Sequence, residues 1–103
     1  MFDELFIITS FFAGFVHTNK GVTCSDSSLR DLSTAEECSG AVNYAKSFNS
    51  KAKYYTSGSW SNLPKGCYIY DYIDSGNMYF NTHSTGGKSD SRTETSICRK
   101  GNT

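Results

Sequence analysis

The chain has 103 residues, four cysteines and a formal net charge of zero, and aromatic residues make up 15% of it. This length predicts a single domain. Since the sequence has no excess of Lys and Arg to neutralise phosphates, we expect no nucleic-acid partner.

The segment 1–20 is predicted to be a hydrophobic leader. Residues 5–16 are apolar almost throughout, a run too short to span a bilayer but typical of the apolar core of a signal peptide. Asp3 and Glu4 stand where a signal peptide usually has basic residues. The leader is therefore either a secretory signal or a retained anchor or docking segment. Contact with a membrane would then involve its phenylalanines, Phe2, Phe6, Phe11, Phe12 and Phe15.

Residues 21–100 are predicted to form the folded module, and a helix is its clearest early element. The run Val22–Cys24 predicts a short opening strand. A capping box, Ser33 with Glu36 or Thr34 with Glu37, then marks a helix start. Apolar residues recur after it at helical spacing, at Ala35, Cys38, Ala41, Val42, Ala45 and Phe48.

The second half of the module predicts strands. Lys53–Thr56 has strand composition, and Cys67–Ile73 with Met78–Asn81 predicts a hairpin in which Ile73 lies opposite Met78. Asp71 then falls opposite Phe80, on the apolar face. The alternation places Cys67, Ile69, Ile73, Met78 and Phe80 on one face, and Tyr68, Tyr70, Tyr72, Tyr79 and Asn81 on the other. Residues 82–95 predict a surface loop and Ser96–Cys98 a last strand.

The four cysteines are predicted to form two disulfides. About 85 residues remain without the leader, and domains of this size often need such cross-links. Four cysteines allow three pairings. The predicted helix and strands favour the nested one, Cys24–Cys98 with Cys38–Cys67. Their spacing does not fit a zinc site, because it contains no C-x-x-C pair. The predicted fold is α+β, with one helix packed on a small antiparallel sheet.

This layout resembles the PAN/apple module. The residues that match are Ser33–Cys38, Gly66–Ile69, and the terminal pair Cys24 and Cys98. PAN modules commonly carry a second Cys on the helix, where this chain has Ala41 or Val42. The resemblance implies a PAN/apple-like fold and, as a class, binding of proteins or carbohydrates.

Other stretches are similar to a small Cys-containing module of marine and algal eukaryotes. They are Ser59–Tyr68, Met78–His83 and Ile97–Cys98. The likeness covers about residues 22–99 and implies no catalytic residues.

The aromatic residues are the strongest candidates for binding. Aromatic rings with a polar tip suit protein partners and sugar faces. The candidate binding residues are Trp60, Tyr68, Tyr70, Tyr72, Tyr79 and Asn81. Coverage of these rings by the loops at 54–63 and 82–94 is the alternative, in which they are core. His83 is interpreted as a residue that hydrogen-bonds locally. We predict no catalytic residue, no metal and no cofactor, and therefore no enzyme.

Three functions remain open. The first is a non-enzymatic, disulfide-stabilised interaction module, secreted or lumenal, that binds a partner protein. The second is a structural accessory subunit of a membrane complex, for example a photosynthetic one, docked through residues 2–16. The third is a carbohydrate-binding module.

Overall fold

The computed structural model describes residues 14–72, 74–87 and 93–100. It contains one sheet of six strands and two short helices. The strands are β1 (Phe15–His17), β2 (Arg30–Asp31), β3 (Lys53–Gly58), β4 (Gly66–Tyr70), β5 (Asn77–Asn81) and β6 (Glu94–Arg99). The helices are α1 (Ala35–Gly40) and α2 (Val42–Ala45).

The strand order is β1-β6-β4-β5-β3, and β2 also pairs with β6. All pairs are antiparallel except β3 with β5, which is parallel. The prediction of a purely antiparallel sheet is therefore wrong in this one pair. β4 lies between β5 and β6, so one edge of β5 remains free. β3 pairs with that edge and runs parallel to β5.

The start of the sheet also differs from the sequence-based prediction. Val22–Cys24 is not a strand, because Cys24 instead begins a 3-10 turn over Ser25–Ser27. Phe15–His17, within the segment predicted as leader, pairs with β6 as strand β1.

The helical region follows its predicted cap. The Thr34 side chain accepts a hydrogen bond from the Glu37 N–H at 3.0 Å, and the Glu37 carboxylate accepts one from the Ser33 N–H at 2.8 Å. The predicted single helix is divided at Ala41, whose backbone (φ −89°, ψ 2°) leaves the helical range. The predicted stripe nevertheless faces the sheet, with Cys38, Ala41 and Ala45 fully buried.

The hairpin has a different register from the predicted one. Ile69, not Ile73, lies opposite Met78, and Ile73 lies outside the described residues. The two registers differ by an even number of residues, so the paired side chains of β4 and β5 keep their predicted faces. Asp71 is not opposite Phe80, because it follows β4, where its carboxylate accepts a hydrogen bond from the Asn49 amide at 2.8 Å.

The sheet therefore has an inner face toward the helices and an outer face away from them. The buried core on the inner side contains Leu32, Cys38, Ala41, Ala45, Ala52, Cys67, Ile69, Met78, Phe80 and Ile97. Both predicted disulfides are present, Cys38–Cys67 on the inner face and Cys24–Cys98 on the outer face. The α+β class and the nested pairing are confirmed.

Candidate functional site

Six aromatic side chains form what we call the aromatic surface of the outer face. Tyr68 and Tyr79 lie directly opposite each other on β4 and β5, with their rings stacked at 5.3 Å. The Trp60 ring meets both edge-on, at 6.3 Å from Tyr68 and 5.9 Å from Tyr79. The other members extend this cluster at its two ends, Tyr55 beside Tyr79 and the stacked pair Tyr70 and Tyr72.

The members of this surface differ in exposure. Tyr68 is only 3% exposed and forms the base, where burial, with the Tyr79 and Glu94 charges adding to it, raises the pKa of its hydroxyl far above the usual value. Trp60, Tyr70 and Tyr79 are half-buried. Tyr55 and Tyr72 are 61% and 54% exposed. Loop coverage is thus complete at the base and incomplete at the rim.

The loop between β3 and β4 lays Trp60 on the sheet, and Gly58 makes room for it. A Cβ atom on Gly58 would lie 2.4 Å from the Trp60 ring. Only a residue without a side chain allows the indole to lie so close to the backbone.

Asn81 holds the same loop from below. Its Oδ1 accepts a hydrogen bond from the Trp60 N–H at 2.9 Å. Its Nδ2 donates to the carbonyls of Trp60, Leu63 and Pro64 at 2.8–3.0 Å. Asn81 is 1% exposed, so it positions the aromatic surface from beneath. These bonds replace the water that a loop backbone would otherwise need.

A depression of about 240 Å³ opens on this surface. It is lined by Trp60, Leu63, Tyr68, Tyr70, Tyr79 and Glu94. Four of the predicted candidates thus meet in one place, Tyr72 lies beside them against Tyr70, and Asn81 supports them. Tyr55 was not among the predicted candidates, because the sequence predicts a strand at Lys53–Thr56 but not which of its side chains lie on which face.

His83 has local hydrogen bonds, whereas His17 has a hydrogen-bond partner 27 residues away in the chain. His83 Nδ1 accepts from the Gly86 N–H at 2.9 Å and the Thr85 N–H at 3.3 Å, as the sequence predicted. His17 Nδ1 lies 2.7 Å from the Tyr44 hydroxyl, and its ring stacks on Phe48 at 3.9 Å. Burial lowers the pKa of His17, against the opposing effect of the Asp71 charge.

The predicted membrane contacts fall mostly on residues 1–13, which lie outside the described part. Of the five phenylalanines only Phe15 is described, and it packs against Tyr44 at 5.8 Å and under the Arg99 guanidinium at 4.5 Å. In the described ranges no helix has the length and apolar character needed to cross a membrane. Nor do the described His, Cys, Asp and Glu side chains form a group of three or more that could hold a metal ion.

Comparisons with protein-family models, curated proteins and solved structures find no significant match. The resemblance to PAN/apple and algal modules therefore stays an expectation from the sequence.

Proposed function

We propose that the chain is a non-enzymatic interaction module that works outside the cytosol and binds a partner protein through its aromatic surface. The observation that carries this proposal is the unequal cover of the two sheet faces. Helices close the inner face, whereas the outer face keeps five of its six clustered aromatic side chains partly or largely accessible.

The chemistry of the aromatic surface favours a protein partner. Trp and Tyr are enriched in the energetically dominant part of protein interfaces, because they bury a large area with few rotatable bonds. Here the rings are also held in place by mutual stacking and by Asn81, which reduces the entropy lost on binding. A depression of about 240 Å³ is smaller than most small-molecule sites and suits one side chain of a partner.

The cysteines support the proposed compartment. Both disulfides are buried, and no cysteine remains free. Structural disulfides persist in secreted and lumenal proteins and are rare in the cytosol. The same bonding supports a non-enzymatic function, since oxidised cysteines provide no thiolate nucleophile.

Site-specific photo-crosslinking in the cells that express the chain tests this proposal. Benzoylphenylalanine replaces Tyr72 or Tyr55 on the outer face, or Asn43 on helix α2 as the matched control. We expect one discrete adduct in the secreted or lumenal fraction from both outer positions, lost when Trp60→Ala is added, and none from Asn43. The absence of an adduct at either tyrosine, or an equal adduct at Asn43, would contradict the proposal.

A further inference from the structure

The depression on the aromatic surface carries a charge as well as rings. Of the described residues that line it, four are aromatic, one is Leu63 and one is Glu94. Glu94 is the charged side chain among them, and none of these described lining residues is a Lys or an Arg. The depression therefore presents aromatic rings and a negative charge to the side chain of a partner.

The rings of Trp60, Tyr68 and Tyr79 form a corner in this depression. Tyr68 and Tyr79 are stacked with 18° between their planes, and Trp60 stands nearly perpendicular to both, at 79° and 89°. Rings set at right angles can contact an entering group on two sides at once. Since an aromatic ring attracts a cation that lies within about 6 Å of its centroid, over its face, such a corner suits a cationic head group.

Glu94 places its carboxylate beside the same rings. It lies opposite Tyr70 in the pairing of β4 with β6, and it is only 7% exposed. After burial and the Tyr79 charge, the Glu94 charge is a further cause of the raised pKa of Tyr68. Because water has little access there, the carboxylate attracts a nearby cation more strongly than it would at an open surface. Glu94 also interacts within the chain, so the rings contribute the larger part of the attraction.

We propose that the depression binds a basic side chain of the partner, a lysine or an arginine. This inference rests on the protein-binding function proposed above and adds the chemistry of the side chain that is bound. The methylene stem of either residue would lie against the rings and Leu63, and the charged head would lie near Glu94. An acidic side chain would be repelled by Glu94, and a purely apolar one would gain nothing from its charge.

NMR titration of the ¹⁵N-labelled, disulfide-intact chain tests this inference. Trp60 is the only Trp, so its indole N–H gives one signal that reports on the depression. The probes are N-acetyl, N-methylamide derivatives of arginine and lysine, and those of citrulline and norleucine are the neutral controls of similar shape. We expect at least one basic probe to shift the Trp60 signal saturably and to bind about fivefold or more tightly than its neutral control. Equal binding of basic and neutral probes, or no shift with either basic probe, would overturn the proposal.

The dependence of binding on salt tests the same point without any substitution. Charge attraction at a partly open depression is screened by added salt, so the affinity for the basic probe should fall as NaCl is raised. Binding of the neutral controls should not fall. An affinity for the basic probe that does not respond to salt would overturn the proposal.

Variants then identify the groups that bind the cation. Glu94→Gln keeps the size of the side chain but removes its charge, and it should weaken binding of the responding probe about threefold or more. Tyr70→Leu removes one half-buried ring of the depression and should also weaken binding. Glu36→Gln, at an exposed position of helix α1, is the matched control and should bind as the parent chain does. Unchanged affinity in both depression variants would overturn the proposal.

Photo-crosslinking separates a failure of this inference from a failure of the proposed function. The adduct from benzoylphenylalanine at position 72 should be lost or strongly reduced when Glu94→Gln is added. An adduct that persists unchanged would contradict the basic side chain and leave the protein-binding function standing. If the parent chain gives no adduct at all, the proposed function fails, and the inference about its partner fails with it.

Discussion

The two faces of the sheet are built from the same strands but are closed by different means. On the inner face Ile69, Met78 and Ile97 are fully buried under two helices, whose backbone groups bond within each helix. The outer face is covered by loops, whose backbone groups need other partners. Asn81 supplies several of them, and cover by loops leaves the aromatic rim accessible. The inner face therefore contributes mainly stability, whereas the outer face has the accessible rings on which the proposed partner binding depends.

Each face carries one disulfide, and removing one disulfide at a time has the largest expected effect on stability. The two losses compare the two faces. Cys24→Ala with Cys98→Ala opens a loop with a sequence separation of 74 residues, and Cys38→Ala with Cys67→Ala one of 29. We expect losses of about 4 and about 3.5 kcal/mol in the free energy of unfolding, comparable to the whole stability of a small domain. Urea unfolding followed by Trp60 fluorescence measures them. A loss below about 1 kcal/mol for either pair would mean that its face does not depend on the bridge.

Asn81→Asp tests whether the outer loop depends on one side chain. The substitution keeps the shape and the Oδ1 acceptor but removes the Nδ2 donor, so three carbonyls would face a carboxylate oxygen. We expect a loss of about 2–4 kcal/mol and a red shift of Trp60 fluorescence as the ring becomes exposed. Asn43→Asp on the exposed side of α2 is the control and should leave the fluorescence unchanged.

Gly58→Ala separates close packing of Trp60 from hydrogen bonding. The new methyl would overlap the indole and displace it, at a cost of about 1–3 kcal/mol. Gly40→Ala is the matched control on the helical side, where the Cβ would meet nothing within 4 Å. Since Ala favours a helix, Gly40→Ala should raise stability by up to about 1 kcal/mol. Equal effects of the two substitutions in thermal unfolding would show that Trp60 does not need the space.

Glu37 connects the helical layer to the last strand, and its contribution depends on pH. Burial alone would raise the pKa of Glu37, but the Ser33 N–H and the Arg99 guanidinium, which donates at 2.7 Å, outweigh it and lower the pKa below 4.5. Its stabilisation is therefore complete above pH 4.5 and is lost as the pH falls through the lower folded value. Glu37→Gln should cost about 1 kcal/mol at neutral pH and nothing in strong acid.

Urea unfolding at several pH values checks this prediction. Glu36→Gln, at the exposed neighbouring position, is the matched control variant. If the loss of stability in Glu37→Gln persists unchanged in acid, that loss does not come from the ion pair between Glu37 and Arg99.

Much of the inner face could be predicted from the sequence because its signals are local. Helical spacing and the Thr34 cap predicted which helical residues are buried. Strand alternation predicted the faces of the β4 and β5 side chains correctly, although the predicted hairpin register was shifted. The outer face depends on long-range contacts. β3 lies parallel to β5 because the edge of β5 away from β4 was free to pair. Asn81 bonds to the Trp60 loop because that loop lies above Asn81 in the folded chain. Neither leaves a periodic signal in the sequence.

The smallest expected effect on stability is that of a substitution at Ser96. It lies opposite Tyr68 on the outer face, and its Oγ is buried without a hydrogen-bond partner among the described residues. Because a buried hydroxyl without a partner loses its bonds to water and gains none in return, Ser96→Ala should leave the free energy of unfolding unchanged or raise it by up to about 1 kcal/mol. Thr18→Val is the comparison, since the Thr18 hydroxyl accepts from the Ser96 N–H at 3.1 Å and donates to the Val22 carbonyl at 2.7 Å. That variant should lose at least about 1 kcal/mol. If Ser96→Ala loses as much, a bound water satisfies the hydroxyl, and the layer beneath the aromatic surface is a hydrogen-bonded network.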